Sequence, residues 1–336
     1  MKTPDMSTTW LGLELSSPLV AASCPLTGDL GALKKLEYAG AGAVVLPSLF
    51  QEQVEHEELE LGRLREVGAD SVHEVSGFFP ELTVYNTGPE GYLRLVEAAR
   101  ASLAIPVVAS LNGISREGWA RHARRIEAAG ASAIELNLHY VPTDPEMGAE
   151  EVERIYIDQV AAVRGAVAIP ISTKLGPHAS APANLALRLA EAGSDGIAIF
   201  NRFLEPDFDL ESMEVVPRLE LSRPSEMRLP LRWIAILSAK TELSLASTTG
   251  VHTPEDAVKL ILAGADVVTV ASALMVHGPF HLQTLLVGMK SWLEQHDYES
   301  VRQMRGSMNH RNCPDPRGFE RLNYMKALTS FTRGAT

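Results

Sequence analysis

The chain has 336 residues, of which 46% are hydrophobic, and a formal net charge of −12 at pH 7. The negative charge argues against nonspecific nucleic-acid binding and against a basic membrane patch, and no apolar run reaches the roughly 18 residues of a transmembrane helix. Cys24 and Cys313 are the only cysteines, and the histidines lack metal-ligand spacing. We therefore expect no disulfide framework and no metal site, and a protein of the reducing cytoplasm.

One pattern recurs along the chain, and it consists of a helix end, a glycine and a short apolar run. It is present in four segments, which are Tyr38-AGAGAVVL, Glu127-AAGASAIEL, Ala190-EAGSDGIAIF and Ile261-LAGADVVTV. A glycine at this point supplies the left-handed residue that ends a helix. The apolar runs are continuous rather than alternating, which is typical of parallel strands that are covered on both faces.

Taken in chain order, the pattern predicts strands near residues 19–22, 43–46, 106–111, 133–138, 170–174, 196–200, 243–247 and 267–270. Helices are predicted near residues 30–38, 90–102, 118–129, 150–165, 182–192, 254–263 and 279–295. Eight strands, each followed by a helix or an insertion, predict an α/β protein with a (β/α)8 TIM barrel. The alternative is an open doubly wound sheet, but its G-x-G-x-x-G fingerprint is missing after the first strand. We expect a single domain over residues 1–336, with a barrel core at about 17–296 and a C-terminal helical tail at about 297–336.

Two connections are too long to be ordinary turns. Residues 48–85 follow the second strand and contain an acidic run, and residues 202–241 follow the sixth strand and contain prolines and mixed charges. Long insertions in a compact domain are usually lids or binding loops. We expect the acidic run to be a solvated helix and the tail to serve in packing or dimer contacts.

The segment Leu243–Gly278 predicts a phosphate site. It is read as a strand, a Thr-Thr-Gly turn, a helix capped by Thr253, a second strand and a turn of small residues. Bare backbone N–H groups after two neighbouring strands favour a phosphate, and the loops after the last two strands of a barrel are where one most often binds. The residues at these two turns are Thr249, Gly250, Ala271 and Ser272.

Polar residues at the other strand ends are mostly small residues or amides, with one cation, Lys174. Because carboxylates are almost absent from these ends, a two-carboxylate hydrolase and a magnesium site are disfavoured. A lysine at this position suits the edge of a flavin, where it would stabilise negative charge, or a Schiff base as in aldolases. Asn137, Asn86 and Asn201 each combine a donor with an acceptor, which suits a pyrimidine-like edge, although each also suits a turn.

At this point the chain resembles the dihydroorotate dehydrogenase family, in its soluble class. The resemblance covers roughly residues 9–290 and rests on five motifs, which are Trp10-LGLELSSPLVAAS, the YNTGPEGY that contains Asn86, Glu135-LNL, Ser172-TKLGP and Thr249-GVHTPEDAVKLILAGADVVTVASALMVHGP. It implies a TIM barrel that binds FMN and oxidises dihydroorotate to orotate in pyrimidine synthesis, by hydride transfer to flavin N5. It also implies a homodimer, and any iron–sulfur centre or electron acceptor would belong to a redox partner protein.

Site roles are implied in the same way, position by position. FMN would be bound by Ala22, Ser23, Ser48, Asn137, Lys174, Thr249, Gly250, Ala271 and Ser272. The pyrimidine substrate would be bound by Asn86, Asn137 and Asn201. Tyr140 occupies the position of the family's catalytic base, so the expected catalytic residues are Tyr140 and Lys174.

The chain departs from the family pattern at positions that concern the substrate. The family has Cys or Ser where Tyr140 stands, Asn where Pro142 stands, and Lys where Pro47 stands. Its paired glycines at the phosphate are Thr249-Gly250 here. A tyrosine has an ordinary pKa of about 10 and needs a neighbouring Lys or His to act as a base, so His139 is the other candidate for the proton.

Three other functions stay open at this stage. The first is a related flavoprotein with another substrate, the second is a non-catalytic flavin-binding member of the family, and the third is a Schiff-base lyase.

Overall fold

The computed structural model describes residues 3–51, 88–113, 116–202 and 205–333. Its centre is a closed barrel of eight parallel strands, which confirms the predicted fold. The strands are β1 (Leu19–Ala21), β2 (Ala43–Phe50), β3 (Val107–Asn112), β4 (Ala133–Leu138), β5 (Ile171–Leu175), β6 (Gly196–Ile199), β7 (Ser244–Ser247) and β8 (Val267–Val270). Each strand pairs with its neighbours in sequence, and β8 pairs with β1 to close the barrel.

Helices surround the barrel. They are α1 (Leu30–Tyr38), α2 (Gly88–Ser102), α3 (Arg116–Ala128), α4 (Ala149–Arg164), α5 (Pro182–Glu191), α6 (Arg228–Leu237), α7 (Pro254–Ala263), α8 (Ser272–His277) and α9 (His281–Gln295). The predicted tail contains α10 (Val301–Met304) and α11 (Leu322–Arg333). No helix in the described ranges is long and apolar enough to cross a membrane.

The structure differs from the predicted elements at three places. The insertion after β6 contains α6, whose Pro230 lies in the first helical turn, where a proline costs no hydrogen bond. A short helix that was not predicted, α8, precedes the helix predicted near 279–295, which is confirmed as α9. Strand β2 continues four residues further than predicted, to Phe50, through a register shift against β3 between Val45 and Ser48.

The structure describes most of the insertion after β6 but little of the insertion after β2. After β6, Pro206–Asp209 and Glu214–Pro217 form an antiparallel hairpin. Most of the insertion after β2, including the acidic run and Asn86, lies outside the described residues. The predicted helix start at Thr253 is confirmed, because its hydroxyl accepts from the Asp256 N–H and its own N–H donates to the Asp256 carboxylate.

Two apolar cores show which end of the barrel is closed and which end is open to a ligand. The larger core lies between the strands and the helices, and the smaller one fills the lower half of the barrel interior. Trp10, Leu11 and Leu15, from a short hairpin before β1, belong to this interior core and close the amino-terminal end of the barrel. The carboxyl-terminal end is lined instead by polar side chains, so it is the end that can hold a ligand.

Candidate functional site

A cavity of about 390 Å³ opens at the carboxyl ends of the strands. It is lined by every residue that was predicted to bind the cofactor, namely Ala22, Ser23, Ser48, Asn137, Lys174, Thr249, Gly250, Ala271 and Ser272. Asn201 lines it as well, whereas Asn86 lies outside the described residues. The structure does not bring Tyr140 into this cavity.

Lys174 is paired with a carboxylate that the sequence interpretation missed. Its Nζ lies 3.4 Å from Oε1 of Glu135, and the two side chains are 10% and 2% exposed. Strand alternation explains the contact, because Glu135 and Asn137 are two residues apart on β4 and Asn137 is in register with Lys174 on β5. The i, i+2 relation to Asn137 could have revealed Glu135 from the sequence. The cation that lines the cavity therefore belongs to a buried ion pair and is not isolated.

The two asparagines of the cavity are joined to each other. Nδ2 of Asn201, just after β6, donates to Oδ1 of Asn137 on β4 over 2.9 Å. The bond leaves the amino group of Asn137 and the carbonyl of Asn201 as the groups with which the pair can meet a ligand. An adjacent donor and acceptor match the edge of a cyclic imide or amide.

Ser48 is held on the opposite wall. Its hydroxyl lies 2.8 Å from the hydroxyl of Ser110 on β3, and the Ser110 N–H donates to the Tyr92 hydroxyl over 2.7 Å. Strand β2 reaches this wall because it extends past its predicted end. Ser48 therefore lies within the strand rather than after it.

The predicted phosphate turns meet a third segment, which comes from the insertion after β6. The Ser222 hydroxyl accepts from the Gly250 N–H over 3.2 Å and lies 2.9 Å from the Ser272 hydroxyl. The imidazole of His252 contacts the Ser222 carbonyl at 2.7 Å. The expectation of bare N–H groups is thus wrong for Gly250. Ser222 was missed because its contacts lie 28 and 50 residues away along the chain.

The turn after β7 has a left-handed backbone at two successive residues. Thr249 has φ of 81° and Gly250 has φ of 78°. This region favours glycine, and a side chain costs about 1–2 kcal/mol there. The Thr249 hydroxyl offsets part of that cost by donating to the Phe200 carbonyl over 3.2 Å.

Cys24 is a buried cavity residue with a neutral thiol. Burial raises its pKa, and hydrogen bonds from Thr27 and Leu26 together with the charge of Lys174 oppose that shift without cancelling it. Elsewhere in the described part of the chain, no group of three His, Cys, Asp or Glu side chains is placed to hold a metal ion.

Tyr140 lines a separate cavity of about 150 Å³ between α4 and the start of α5. Its hydroxyl donates to Sδ of Met147 over 3.4 Å. The preceding residue, His139, lines the main cavity. His139 and Tyr140, neighbours just past the end of β4, therefore enter different cavities.

The fold and the site together define a (β/α)8 barrel with a polar cavity at the carboxyl ends of its strands, which is where TIM-barrel enzymes have their active sites. Comparison with protein-family models narrows this class. The dihydroorotate dehydrogenase model matches residues 6–293, and the chain belongs to that family of flavin-dependent oxidoreductases.

Curated relatives fall into two groups of enzymes. The catalytic subunit of dihydroorotate dehydrogenase B (NAD(+)) from Methanothermobacter thermautotrophicus is 26% identical over 90% of this chain and 97% of its own length. The chloroplastic dihydropyrimidine dehydrogenase (NADP(+)) of Arabidopsis thaliana is 24% identical, over 90% of this chain and 76% of the relative. The subunit PreA of the NAD-dependent dihydropyrimidine dehydrogenase of Escherichia coli is also 24% identical, over 94% of this chain and 79% of the relative.

Proposed function

We propose that the protein is an FMN-dependent oxidoreductase that acts on the C5–C6 bond of a dihydropyrimidine, oxidising dihydroorotate to orotate. The observation that carries the proposal is the cavity itself. It gathers an ammonium group, an Asn–Asn pair and a cluster of hydroxyl groups at the functional end of a barrel of this family.

The donor set of the cavity fits FMN. The hydroxyl groups of Ser222 and Ser272 lie together at one end of the cavity and suit a phosphate. Lys174 and Asn137 lie on strands on the other side and suit the edge of a flavin ring. The volume of about 390 Å³ falls within the roughly 300–1,000 Å³ of small-molecule sites. Ala22 and Ala271 leave room because their side chains are small.

Each group of the chain has a separate task in the proposed reaction. When FMN is bound, it supplies a two-electron acceptor for a hydride. Lys174 would hold a positive charge beside the ring edge, and Glu135 orients that ammonium by pairing with it. The joined amides of Asn137 and Asn201 orient the pyrimidine ring through its own donor and acceptor groups.

A second candidate substrate is favoured by the charges of the cavity. Two cations are among its described lining residues, and both are paired: Lys174 with Glu135, and Arg202 with Glu226 over 3.0 Å. Neither cation is left for the carboxylate of dihydroorotate. This arrangement favours an uncharged ring such as dihydrouracil, which is consistent with the names of the dihydropyrimidine dehydrogenase relatives.

FMN titration of the apoprotein tests the cofactor, with Lys174→Met as the variant. We expect stoichiometric binding by the wild type and weaker binding by the variant. Reduction of the bound flavin by dihydroorotate or by dihydrouracil then identifies the substrate. A protein that takes up no FMN contradicts the proposal.

We further propose that the protein works in the cytoplasm as a homodimer that passes electrons to a redox partner protein. Both cysteines are free thiols, which fits a reducing compartment. Two of the relatives are named as subunits, one of them as a catalytic subunit. Analytical ultracentrifugation tests the dimer, and a screen of electron acceptors tests the partner.

A further inference from the structure

We propose that His139 is the residue that exchanges the substrate's proton, in place of Tyr140. The inference rests on the proposed function, and it assigns the step for which the family's base position gives no suitable side chain. The observation behind the inference is that, just after β4, the His139 side chain lines the main cavity and the Tyr140 side chain does not.

The backbone of β4 places His139 on the inner side of the barrel. Along this strand Ala133 belongs to the interior core, Glu135 meets Lys174, and Asn137 lines the cavity. His139 continues this series of alternate residues and also lines the cavity. Its N–H donates to the Asn137 carbonyl over 3.1 Å, so the backbone at His139 is tied to the residue that meets the ligand.

Tyr140 is held on the other side of the same segment. Its hydroxyl is directed to Met147, and its backbone hydrogen-bonds the hydroxyl of Tyr156 on α4. Burial raises the pKa of Tyr156, and this hydrogen bond opposes the shift. For the Tyr140 phenol to reach the main cavity, its contact with Met147 would have to break and the side chain would have to turn away from α4.

Among the described residues, the other titratable groups that line the cavity are poorly suited to accept a proton near neutral pH. Lys174, from β5, and Arg202, after β6, are cations paired with carboxylates. Cys24, after β1, is a thiol whose pKa burial raises. Glu220, from the insertion, is an exposed carboxylate, and a hydrated carboxylate is a weak base. An imidazole, with an ordinary pKa of about 6.5, is matched to proton transfer at neutral pH.

The proposed step balances as follows. The substrate loses a hydride from C6 to the bound flavin and a proton from C5 to an imidazole nitrogen of His139. The electron pair of the broken C5–H bond becomes the second bond between C5 and C6. The imidazolium then releases its proton to solvent, and in the reverse direction it donates the proton to C5.

Two variants test the assignment: His139→Ala and Tyr140→Phe. For each FMN-loaded protein, anaerobic stopped-flow absorbance gives the rate of flavin reduction by whichever dihydropyrimidine reduces the wild type. The flavin spectrum also reports the binding of orotate or uracil, which involves no turnover. The reduction is repeated with added imidazole, because a small base can replace a missing catalytic imidazole but cannot repair a misfolded site.

We expect His139→Ala to reduce the flavin about 10²- to 10⁴-fold more slowly, the usual contribution of a general base. It should bind the pyrimidine product within about threefold of the wild type, and imidazole should restore part of its rate. Tyr140→Phe should stay within about threefold of the wild-type rate. A slower flavin reduction in Tyr140→Phe, with little change of the rate in His139→Ala, overturns the assignment. The assignment is also overturned if His139→Ala loses product binding together with its rate and added imidazole restores none of that rate. A wild type that holds FMN and is reduced by neither substrate overturns the proposed function itself, and the role of His139 with it.

Discussion

The buried pair of Glu135 and Lys174 gives the most quantitative prediction. At an effective dielectric constant of about 20, two unit charges 3.4 Å apart attract each other by about 5 kcal/mol. Removing one member also leaves the other charge in an interior where both side chains are at most 10% exposed. Breaking such a pair costs about 3–5 kcal/mol. We therefore expect Glu135→Leu to lower the free energy of unfolding by about 4 kcal/mol at pH 7.

The matched control is the double variant Glu135→Leu/Lys174→Met, which removes both charges and keeps the volume similar. Replacing a whole buried pair with apolar side chains is often neutral or stabilising, so the double variant should regain most of the loss. Urea unfolding followed by circular dichroism gives the free energies, and the single variant should also melt about 6 °C lower. A single variant within about 1 kcal/mol of the wild type, or a double variant that is less stable than the single one, refutes the reasoning.

Three further predictions concern other parts of the molecule. Ser222→Ala removes the hydroxyl that joins Gly250 to Ser272 and should weaken FMN binding about tenfold in a fluorescence titration, whereas the exposed Ser225→Ala should not. Trp10→Ala leaves a cavity at the closed end of the barrel and should lower the free energy of unfolding by about 3–5 kcal/mol in urea. A decrease below about 1 kcal/mol would show that Trp10 does not belong to the interior core. Burial raises the pKa of Cys24, so the stability due to its neutral thiol is complete below the unfolded thiol's pKa of about 8.5 and is lost as the pH rises toward the raised value. Unfolding from pH 7.5 to 10 should show this decline in the wild type and not in Cys24→Ser; equal slopes would contradict it.

The barrel could be predicted because its signal is local and repeated. Each helix end, glycine and apolar run is contained in about ten residues, and strands covered on both faces need no long-range information to be recognised. Helix α6 was missed because Pro230 and the mixed charges around it resemble a loop. A proline is compatible with a helix only in the first turn, and the sequence does not say where that turn begins.

The cavity residues at the strand ends could be predicted from the sequence, but the residues that hydrogen-bond or pair with them could not. Lys174, Asn137 and Asn201 follow from the rule that functional residues stand at the carboxyl ends of barrel strands. Ser222 comes from an insertion whose path no local pattern reveals. Glu135 was overlooked within an apolar run, although its alternation with Asn137 indicates an inward position.

The sides taken by His139 and Tyr140 depend on how far the strand-like alternation continues after β4. Alignment with the family's motif selects Tyr140, because it counts positions along the chain. Side-chain direction selects His139, because residues two apart on an extended segment share a side. The two criteria differ by a single residue, and at a strand end that residue decides which cavity a side chain enters.

The visible absorption spectrum of the purified protein, recorded anaerobically before and after adding dihydroorotate and, separately, dihydrouracil, tests the cofactor and the reaction together. Flavin bands that bleach with one of these substrates are the expected result, and the paired cations of the cavity favour dihydrouracil. Flavin bands that persist with both would contradict the proposed reaction while leaving the flavin site. A colourless protein that takes up no added FMN would contradict the proposed site as well.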